Sequence, residues 1–569
     1  MAQFDEEKQN KKLEDFKKQE EEDVVKMLAA EKYGLPYINL AGVIIENEAL
    51  RTVEEDEARK IGVAPFKILG KKIHIAVHSP GRPEVTALKE NIIRGGLEPI
   101  LYMVSQASLD KVWERYRELS YATGAKIGGM DISGEVILSI AEKIKIIKDV
   151  EAVIVGSEQE KGTHQLSHML EIIMAGASAL GASDIHIEPE QDRVRLRYRL
   201  DGVLQNIMFF NFGKYKLLNS RIKLMSGLKL TQTQQAQDGR FSIFISGEEV
   251  NIRTSTVPGA YGEGIVMRLL DPRTIKAKLE DLGIEPRLFS ILEKEIEKPH
   301  GLILITGPTG SGKTTTLYAF LKRIYSPELK IITIEDPIEY HMQGITQTQV
   351  EHEKGYDFLA GLRAALRQDP DIIMLGEIRD AETGKTAVES ALTGHMVFST
   401  LHTNNAQGVI PRLIDLGVNA KILVSALSIS MAQRLARKLC DVCKTERAVT
   451  KEEEEQIKKI LQRAQEDGKD LSSYGVNLTE NMKVFIPPTP NDCEKCHGLG
   501  YKGRIGIFEA ILTDEEIEKI IPNNPSEREI KKIARKQGIL DMKEDGIIKA
   551  LRGTTSLEEV KAVVDFDEE

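Results

Sequence analysis

The stretch GPTGSGKT at residues 307–314 restricts the fold of this chain more than any other feature. It lies between the apolar run LILIT and the helical pattern TTTLYAFLKRIY, so a strand, a glycine-rich turn and a helix follow one another. Such a turn binds phosphate, because its backbone N–H groups and the helix N-terminus both point toward the anion. The alternative is a glycine-rich turn that binds nothing, and the two flanking elements argue against it.

This turn predicts a site for ATP and magnesium. Lys313 is expected to neutralise the β- and γ-phosphates, and the hydroxyl of Thr314 is expected to ligate Mg²⁺. The residues predicted to bind the nucleotide are Gly307, Pro308, Thr309, Gly310, Ser311, Gly312, Lys313, Thr314 and Thr315.

Four short apolar runs around the turn indicate a parallel sheet. The runs are LILIT, IITI, DIIML and MVFST, and helical stretches separate them. Unbroken apolar strands that alternate with helices are typical of a sheet buried on both faces. We therefore expect an α/β core over about residues 283–430.

Carboxylates next to these runs supply the second half of a hydrolytic site. Glu377 lies just past the run DIIML, and we predict that it acts as the general base toward the attacking water. In open α/β sheets the ligand lies at the carboxyl ends of the strands. Glu335, Asp336 and Glu339 follow the run IITI and are expected to position Mg²⁺ and water, with simple capping as the alternative. Asp371, at the start of DIIML, is counted among the predicted nucleotide-binding acids.

Two histidines flank the run MVFST. His395 precedes this run and His402 follows it. Because the strand should neighbour the nucleotide-binding strands, both histidines are predicted to sense the nucleotide. A structural role in packing or in a buried hydrogen bond is the alternative.

Four cysteines form two CxxC pairs, CDVC at 440–443 and CEKC at 493–496. Each pair brings two thiolates to one side of a metal, and four thiolates complete the tetrahedral shell of a structural zinc. A reducing compartment favours metal over disulfides, and unliganded buried thiols are the alternative. His497, beside the second pair, is not expected to be a ligand. The predicted zinc ligands are Cys440, Cys443, Cys493 and Cys496.

Charge and composition limit the cellular setting. The net charge of −11 argues against general nucleic-acid binding, which needs a basic face. The segment MAQFDEEKQNKKLEDF lacks the pattern of a signal peptide, and no apolar run is long enough for a membrane span, so we expect a cytoplasmic protein. In VRLRYRLDG, however, Arg195, Arg197 and Arg199 alternate with apolar residues, which leaves open a phosphate-binding face of a nucleic-acid translocase.

A chain of 569 residues is expected to fold into several domains. The segment 121–160 is glycine-rich and polar, and we expect a linker with one short helix at 134–148. The expected divisions are a charged tail at 1–23, an N-terminal α/β domain for partner docking at 24–120, the linker at 121–160, an α+β domain at 161–275, the core at 283–430, a zinc-binding module at 431–510 and a helical domain at 511–569.

Four motifs, in order, resemble those of the secretion ATPase superfamily. GPTGSGKTTTLY resembles the Walker A motif, TIEDPIEY the Asp box, GLRAALRQDPDIIMLGEIRD the Walker B motif and TGHMVFSTLHTNNA the His box. The resemblance covers about residues 160–515 and is strongest to type IV pilus assembly ATPases and their type II secretion counterparts. It implies a RecA-like P-loop core, a preceding PAS-like domain and a hexameric ring.

The resemblance also implies that arginines reach the nucleotide. The segment VNIRTSTVPGAYGEGIVMRLLD matches the family and contains Arg253 and Arg268, and the matching core arginines are Arg363, Arg367 and Arg379. Guanidinium groups stabilise charge on a transferring phosphoryl group. Ordinary salt bridges to nearby acids are the alternative for the core arginines.

The sequence departs from the family in two places. In the segment TQTQQAQDGR, the residues before QDGR differ from those usual in the family, although Arg240 is kept. Residues 1–60 contain no Arg-Leu-Gly signature, so no cyclic di-GMP site is expected.

The cysteine module favours the assembly and type II secretion branch, because the pilus retraction ATPases of the family lack it. The resemblance thus implies a motor at the cytoplasmic face of the inner membrane that acts on a platform protein and extends a filament of pilin-like subunits. It would associate with the membrane only through its partners and bind no nucleic acid. A type II secretion ATPase is the alternative within the family. A nucleotide-gated scaffold without turnover is the alternative outside it, and Glu377 argues against it.

Overall fold

The computed structural model describes residues 22–566, except 41–42, 44, 51, 54, 70–71, 95–96, 120–133, 158–164, 246–247, 271–277, 476–481 and 490–491. The chain divides into two units, residues 1–131 and residues 132–569. The expected charged tail at 1–23 lies outside the described residues, except for its last two positions.

The first unit is an α/β domain on a three-stranded sheet. β1 (Val63–Leu69) pairs antiparallel with β2 (Lys72–Val77), which pairs parallel with β3 (Glu98–Met103). The helices are α1 (22–28), α2 (Asn47–Leu50), α3 (Glu55–Ile61), α4 (Pro83–Arg94) and α5 (Gln106–Leu119). The indole N–H of Trp113 in α5 donates to the carbonyl of Val63 at 3.0 Å and ties this helix to the sheet.

The segment expected to be a linker contains two helices. They are α6 (Gly134–Ala141) and α7 (Ile147–Ser157), and they precede α8 (Gln165–Ala179). The prediction of one short helix at 134–148 is therefore wrong. Both helices pack against α8, and α7 approaches so closely that a Cβ atom at Gly176 would lie 3.1 Å from the side chain of Val150. Apolar packing of this kind makes α6 and α7 part of the second unit.

A six-stranded antiparallel sheet follows. Its elements are β4 (Asp184–Pro189), β5 (Val194–Leu200), β6 (Val203–Phe210), α9 (Phe212–Met225), β7 (Gln237–Ile245), β8 (Glu248–Gly259) and β9 (Gly262–Leu270). The strand order is β6-β5-β4-β9-β8-β7. Buried and half-buried residues alternate along β5, which confirms the predicted period of two. The hydroxyl of Tyr198 donates to the carbonyl of Ile173 in α8, so this helix covers the apolar face and the arginines of β5 lie on the other.

The remaining strands form the core sheet and one separate pair. They are β10 (Gly301–Thr306), β11 (Ile331–Glu335), β12 (Thr346–Gln349), β13 (Ile372–Leu375), β14 (Met396–Leu401), β15 (Leu427–Leu439), β16 (Thr445–Ala448), β17 (Lys483–Ile486) and β18 (Tyr501–Leu512). The core order is β12-β11-β13-β14-β10-β15-β18, and all neighbours are parallel except β15 and β18. The predicted parallel sheet is confirmed.

Helices cover both faces of this sheet. They are α10 (Pro286–Ile296), α11 (Lys313–Ile324), α12 (Phe358–Ala365), α13 (Ala381–Leu392), α14 (Val409–Asp415), α15 (Ala420–Ala426), α16 (Lys451–Glu466), α17 (Glu515–Ile520), α18 (Glu527–Ala534), α19 (Met542–Leu551) and α20 (Leu557–Val563). Every residue of β10, β11, β13 and β14 is buried, because apolar side chains pack on both sides.

The core sheet extends beyond residue 430, where it was expected to end. β15 begins before residue 430, continues to Leu439 and pairs with β18. β18 ends at Leu512, so the sheet also continues into the first residues of the helical domain that was expected to begin at 511. Charged residues interrupt the apolar pattern of both strands, in QRLARKL and YKGRIG, which conceals their strand character. Among the helices of the described residues, none has the length and apolar character needed to cross a membrane.

Candidate functional site

The turn GPTGSG joins β10 to α11, and the neighbouring strand β15 limits its shape. Gly312 immediately precedes α11 with a φ of +91°, and a Cβ atom there would lie 2.8 Å from the Nε2 atom of Gln433. The side-chain oxygen of Gln433 accepts a hydrogen bond from the hydroxyl of Thr316 at 2.8 Å. Both the left-handed backbone and the approach of β15 therefore require glycine at position 312.

The inner side of the turn fits a phosphate group. The Nζ atom of Lys313 donates to the carbonyl oxygens of Gly307 at 2.8 Å and Pro308 at 3.1 Å, so the ammonium group is held over the turn. The hydroxyl of Ser311 is buried and has no hydrogen-bond partner within the described structure. Burial lowers the pKa of Lys313, and the carboxylate of Glu377 opposes this effect. The exposed residues of this segment are Pro308, Thr309, Gly310, Thr314 and Thr315.

Glu377, Arg379 and His402 meet beyond the carboxyl ends of β13 and β14. The Oε2 atom of Glu377 lies 2.7 Å from Nε2 of His402, and its Oε1 atom forms an ion pair with Arg379. Burial by itself raises the pKa of Glu377, but the hydrogen bonds from Arg379 and His402 outweigh burial and lower it overall. The carboxylate is therefore ionised and oriented, as a group that positions a water molecule requires.

Glu335 lies in a different environment from the one expected. It is buried, and its oxygens accept hydrogen bonds from the hydroxyl of Tyr318, the hydroxyl of Thr333 at 2.6 Å and the amide of Gln347 at 3.1 Å. Its carboxylate thus joins β11 to α11 and β12. Glu335 therefore has a structural position, which differs from the position expected of a residue that binds the nucleotide.

Asp336 and Glu339 face arginines at the same edge of the sheet. Asp336 lies 3.8 Å from Arg379, and Glu339 lies 3.6 Å from Arg253 of β8. Asp336 therefore adjoins the Glu377 group, and Glu339 adjoins the six-stranded sheet.

Asp371 and His395 lie at the opposite edge of the core sheet. Asp371 precedes β13 and accepts a hydrogen bond from the N–H of Lys330 at 2.7 Å. His395 precedes β14, and its Nδ1 atom lies 3.0 Å from the carbonyl oxygen of Ser390. These strands are parallel to β10, so their lengths separate both residues from the phosphate-binding turn. Contrary to the prediction, the structure does not bring Asp371 and His395 to the site.

Arg363 also has a local partner. Its guanidinium lies 3.4 Å from Glu382 of α13, which corresponds to the salt-bridge alternative. Arg367 is exposed.

Five charged residues form a row across five strands of the six-stranded sheet, each opposite the next on the neighbouring strand. In spatial order the row is Arg199, Asp184, Arg268, Arg253 and Arg240. The buried Asp184 lies 2.9 Å from the Nε atom of Arg268 and 3.2 Å from the Nε atom of Arg199. Arg253 lies near Glu339, and among the described residues no ion pair is found for Arg240, so this end of the row carries positive charge that suits a phosphate.

The other two arginines of β5 are neutralised. Arg195 lies 3.3 Å from Glu188, and Arg197 also pairs with Glu188. Arg195 pairs in addition with Glu190 at 3.1 Å. This ladder of ion pairs contradicts the idea of a free phosphate-binding face on β5.

A cleft of about 670 Å³ lies between the six-stranded sheet and the core. Arg253 reaches the core side and donates to the carbonyl of Ile338 at 3.0 Å. Thr315 lines the cleft, which therefore adjoins the phosphate-binding turn. Sequence patterns did not reveal the aromatic residues Tyr318 and Tyr340 in its wall. The polar and aromatic lining includes Arg240, Glu249, Asn251, Arg253, Thr315, Tyr318, Lys322, Glu339 and Tyr340.

The four cysteines come together at one point. Their Sγ atoms all lie within 4.8 Å of one another, with 3.9 Å between Cys440 and Cys493 and 3.6 Å between Cys443 and Cys496. Tetrahedral zinc with Zn–S bonds of about 2.3 Å requires sulfur–sulfur distances of about 3.8 Å, so the spacing fits this metal. The N–H of Gly500 points to the sulfur of Cys496 at 3.1 Å, as suits a thiolate ligand.

A phosphate-binding turn between a parallel strand and a helix, beside an oriented carboxylate, defines a P-loop protein of the nucleotide-hydrolysing class. Residues 159–562 match the model of the family described as Type II/IV secretion system protein, and the chain belongs to this family. Residues 33–122 match the MshEN domain.

Relatives of the chain include ATPases of pilus assembly and proteins of type II secretion. Type IV pilus assembly ATPase PilB of Thermus thermophilus is 38% identical over 94% of this chain, and the alignment spans 56% of that relative's length. PilB of Myxococcus xanthus is 34% identical over 93% of this chain and 89% of its own. Type II secretion system protein E of Aeromonas hydrophila is 44% identical over 68% of this chain and 73% of its own.

Proposed function

We propose that this chain hydrolyses ATP to power the extension of type IV pilus filaments. The extent of the alignments carries this proposal. The two PilB relatives align over 94% and 93% of the chain, and these alignments must include most of the first unit. The type II secretion relatives align over 67% to 76% of it. The first unit is the natural site for docking to a filament-assembly machine in the membrane.

The chemistry follows from the groups at the core edge. Lys313 and the backbone N–H groups of residues 309–312 bind the β- and γ-phosphates. The Thr314 hydroxyl would ligate Mg²⁺, and the metal when bound would neutralise phosphate charge. Glu377, held by His402 and ionised, orients the attacking water and receives its proton. Binding, orientation and proton acceptance thus come from one edge of one sheet.

The mechanical movement is a closing and reopening of the cleft between the six-stranded sheet and the core. Closing this cleft would bring Arg253 and Arg268 toward the phosphates, where they stabilise the transferring group. Arg268 must then exchange Asp184 for a phosphate oxygen. Release of the cleaved phosphate after hydrolysis removes the charge that holds the two sides together, so the cleft reopens and the two parts rotate relative to each other.

We further propose that six copies form a ring at the cytoplasmic face of the inner membrane. The ring would act on a platform protein, which adds pilin subunits to the filament. Zinc bound by the four cysteines would hold the two ends of the intervening segment 444–492 together at the core. The absence of a cyclic di-GMP site stays a prediction. Titration of the full chain with cyclic di-GMP checks it directly.

The decisive experiment uses the native host. The gene is deleted and complemented with the wild type or with Glu377→Gln, and surface filaments and secreted proteins are examined together. Loss of filaments with unchanged secretion, restored only by the wild type, is the expected result. Normal filaments with depleted secretion would overturn the proposal for pili.

Type II secretion is the second candidate. It is favoured by the 44% identity of the Aeromonas hydrophila protein over 386 residues, which exceeds the identity of either PilB relative. The secreted-protein arm of the same experiment identifies this function. Release of phosphate by the purified wild type, absent in Glu377→Gln, excludes a scaffold that only binds ATP.

A further inference from the structure

Arg434 is a charged side chain at the phosphate-binding turn to which the mechanism above gives no role. It lies on β15, directly after Gln433, whose side chain packs against the turn. A Cβ atom at Gly307 would lie 3.2 Å from the Nη1 atom of Arg434, so the guanidinium borders the first residue of the turn. The side chain is half-buried.

The hydrogen bonds of Arg434 go to neutral acceptors. Its Nη1 atom donates to the carbonyl of Gln433 at 3.1 Å, and its Nη2 atom donates to the carbonyl of Asn404 at 2.5 Å. Within the described parts of the chain, no carboxylate forms an ion pair with this guanidinium. Glu509 acts on it from a distance, but the half-buried Glu509 accepts a hydrogen bond from the N–H of Ala406 at 2.7 Å.

Neighbouring arginines differ from Arg434 in this respect. Arg437, on the same strand, pairs with Glu559, and Arg379 pairs with Glu377. Burial lowers the pKa of Arg434, because desolvation disfavours the charged guanidinium. A desolvated cation without a counter-ion, beside a second cation at Lys313, is unfavourable unless an anion joins them.

The position of Arg434 indicates which phosphate it would reach. Asn404, which accepts its hydrogen bond, comes two residues after His402, and His402 contacts Glu377. Arg434 therefore bridges the phosphate-binding turn and the loop that follows the catalytic pair. The terminal phosphate of a bound triphosphate lies between that turn and the carboxylate that positions the attacking water.

We propose that Arg434 binds the terminal phosphate of ATP from within the same chain. Its guanidinium would exchange the carbonyl acceptors for phosphate oxygens, a charge-assisted contact that is stronger than the neutral one. Since Nη2 is bonded to Asn404, the exchange would also signal the presence of the terminal phosphate to the loop after His402. This inference rests on the proposed ATPase function.

The test compares binding of Mg·ATPγS and Mg·ADP to the full chain by calorimetry. Arg434→Gln keeps hydrogen-bond donors and removes the charge, whereas Lys438→Gln removes one charge from an exposed position of the same strand. We expect Arg434→Gln to weaken ATPγS binding about tenfold, which is about 1.4 kcal/mol, and to weaken ADP binding less than about twofold. Lys438→Gln should bind both nucleotides like the wild type.

Two outcomes overturn the inference: unchanged ATPγS affinity in Arg434→Gln, or an equal loss for both nucleotides. If Arg434→Gln does not fold, Arg434→Lys is measured in the same way, and a selective loss for ATPγS supports the inference while an equal response contradicts it. Lys313→Ala separates this question from the proposed function. If the wild type binds neither nucleotide, or Lys313→Ala binds both normally, the ATP site itself is wrong.

Discussion

The Nε2 atom of His402 lies 2.7 Å from the Oε2 atom of Glu377, although the two residues are 25 positions apart in the chain. They meet because β13 and β14 are parallel neighbours and both residues come just after the ends of these strands. Arg379 holds the other carboxylate oxygen. Glu377 is thus oriented from two sides, and its lowered pKa keeps it ionised through the neutral range.

Glu377→Gln is expected to bind ATP but to lower turnover by a factor of about 10² or more, because an amide cannot accept the proton of water. His402→Ala should lower kcat less and leave KM nearly unchanged, since it acts through the orientation of Glu377. Steady-state phosphate release and equilibrium ATP binding measure both effects. His300→Ala, at an exposed position, is the control. Near-normal turnover in Glu377→Gln would assign the general base elsewhere.

Lys313→Ala should abolish detectable ATP binding. Its ammonium group is held over the turn by the carbonyls of Gly307 and Pro308, and no other cation in that turn replaces it. Titration with a fluorescent ATP analogue measures the change, with the exposed Lys294→Ala as a matched control. Retained binding in Lys313→Ala would show that the nucleotide lies elsewhere.

The purified chain should contain one zinc ion per molecule. Cys443→Ser and Cys496→Ser are expected to lose the metal and to unfold at lower temperature, because four thiolates are needed to complete the shell. His497→Ala should keep the metal, since the Nδ1 atom of His497 lies 2.6 Å from the carbonyl oxygen of Lys145. Metal content and thermal unfolding, with and without a chelator, give the answer. A metal-free chain of unchanged stability would favour buried thiols.

The buried ion pair of Lys223 and Glu263 should be important for stability. The side chains are 1% and 4% exposed, and their closest atoms lie 2.7 Å apart. Lys223→Ala leaves a buried carboxylate unpaired and should lower the free energy of unfolding by about 3–5 kcal/mol. Chemical denaturation measures the loss, and Lys519→Ala, from an exposed ion pair, should cause no measurable change.

A double variant separates the pair from simple packing. Lys223→Met combined with Glu263→Gln removes both charges and should recover part of the stability lost in Lys223→Ala. If the double variant were no more stable than Lys223→Ala, unpaired charge would not be the cause.

Glu285 should make stability depend on pH. Burial, and then the charge of Asp545, raise the pKa of Glu285 to about 7, although Lys549 and Arg552 oppose this. The folded chain therefore binds this proton more tightly than the unfolded chain. The resulting stability is complete below about pH 4.5 and is lost as the pH rises through about 7, by up to about 1.4 kcal/mol per unit of pKa difference.

Glu285→Gln tests this dependence, because glutamine is neutral at every pH. The variant should unfold at a higher temperature than the wild type at pH 8 and at a similar temperature near pH 5. Thermal unfolding at both pH values measures the difference. An equal shift at both would attribute the effect to packing and not to ionisation.

Some elements of the site were predictable from the sequence because their geometry is local. The strand, the glycine-rich turn and the helix around Lys313 follow from adjacent residues, and the spacing of each CxxC pair places two sulfurs together. The alternation of β5 is likewise a property of successive residues. The sequence analysis did not separate Glu377 and His402 from Asp371 and His395, although parallel strands end at one edge of the sheet and begin at the other.

The sequence by itself thus determined the α/β core, the phosphate-binding turn and the pairing of cysteines, because short-range backbone preferences and periodicity specify them. Only the tertiary structure decided that Glu335 is enclosed by hydrogen bonds, that Asp184 pairs with both Arg199 and Arg268, and that Arg434 borders the turn. These relationships depend on the register between strands. They also depend on packing, which leaves some charged side chains without a counter-ion. Both are set by contacts between residues that are distant in the chain.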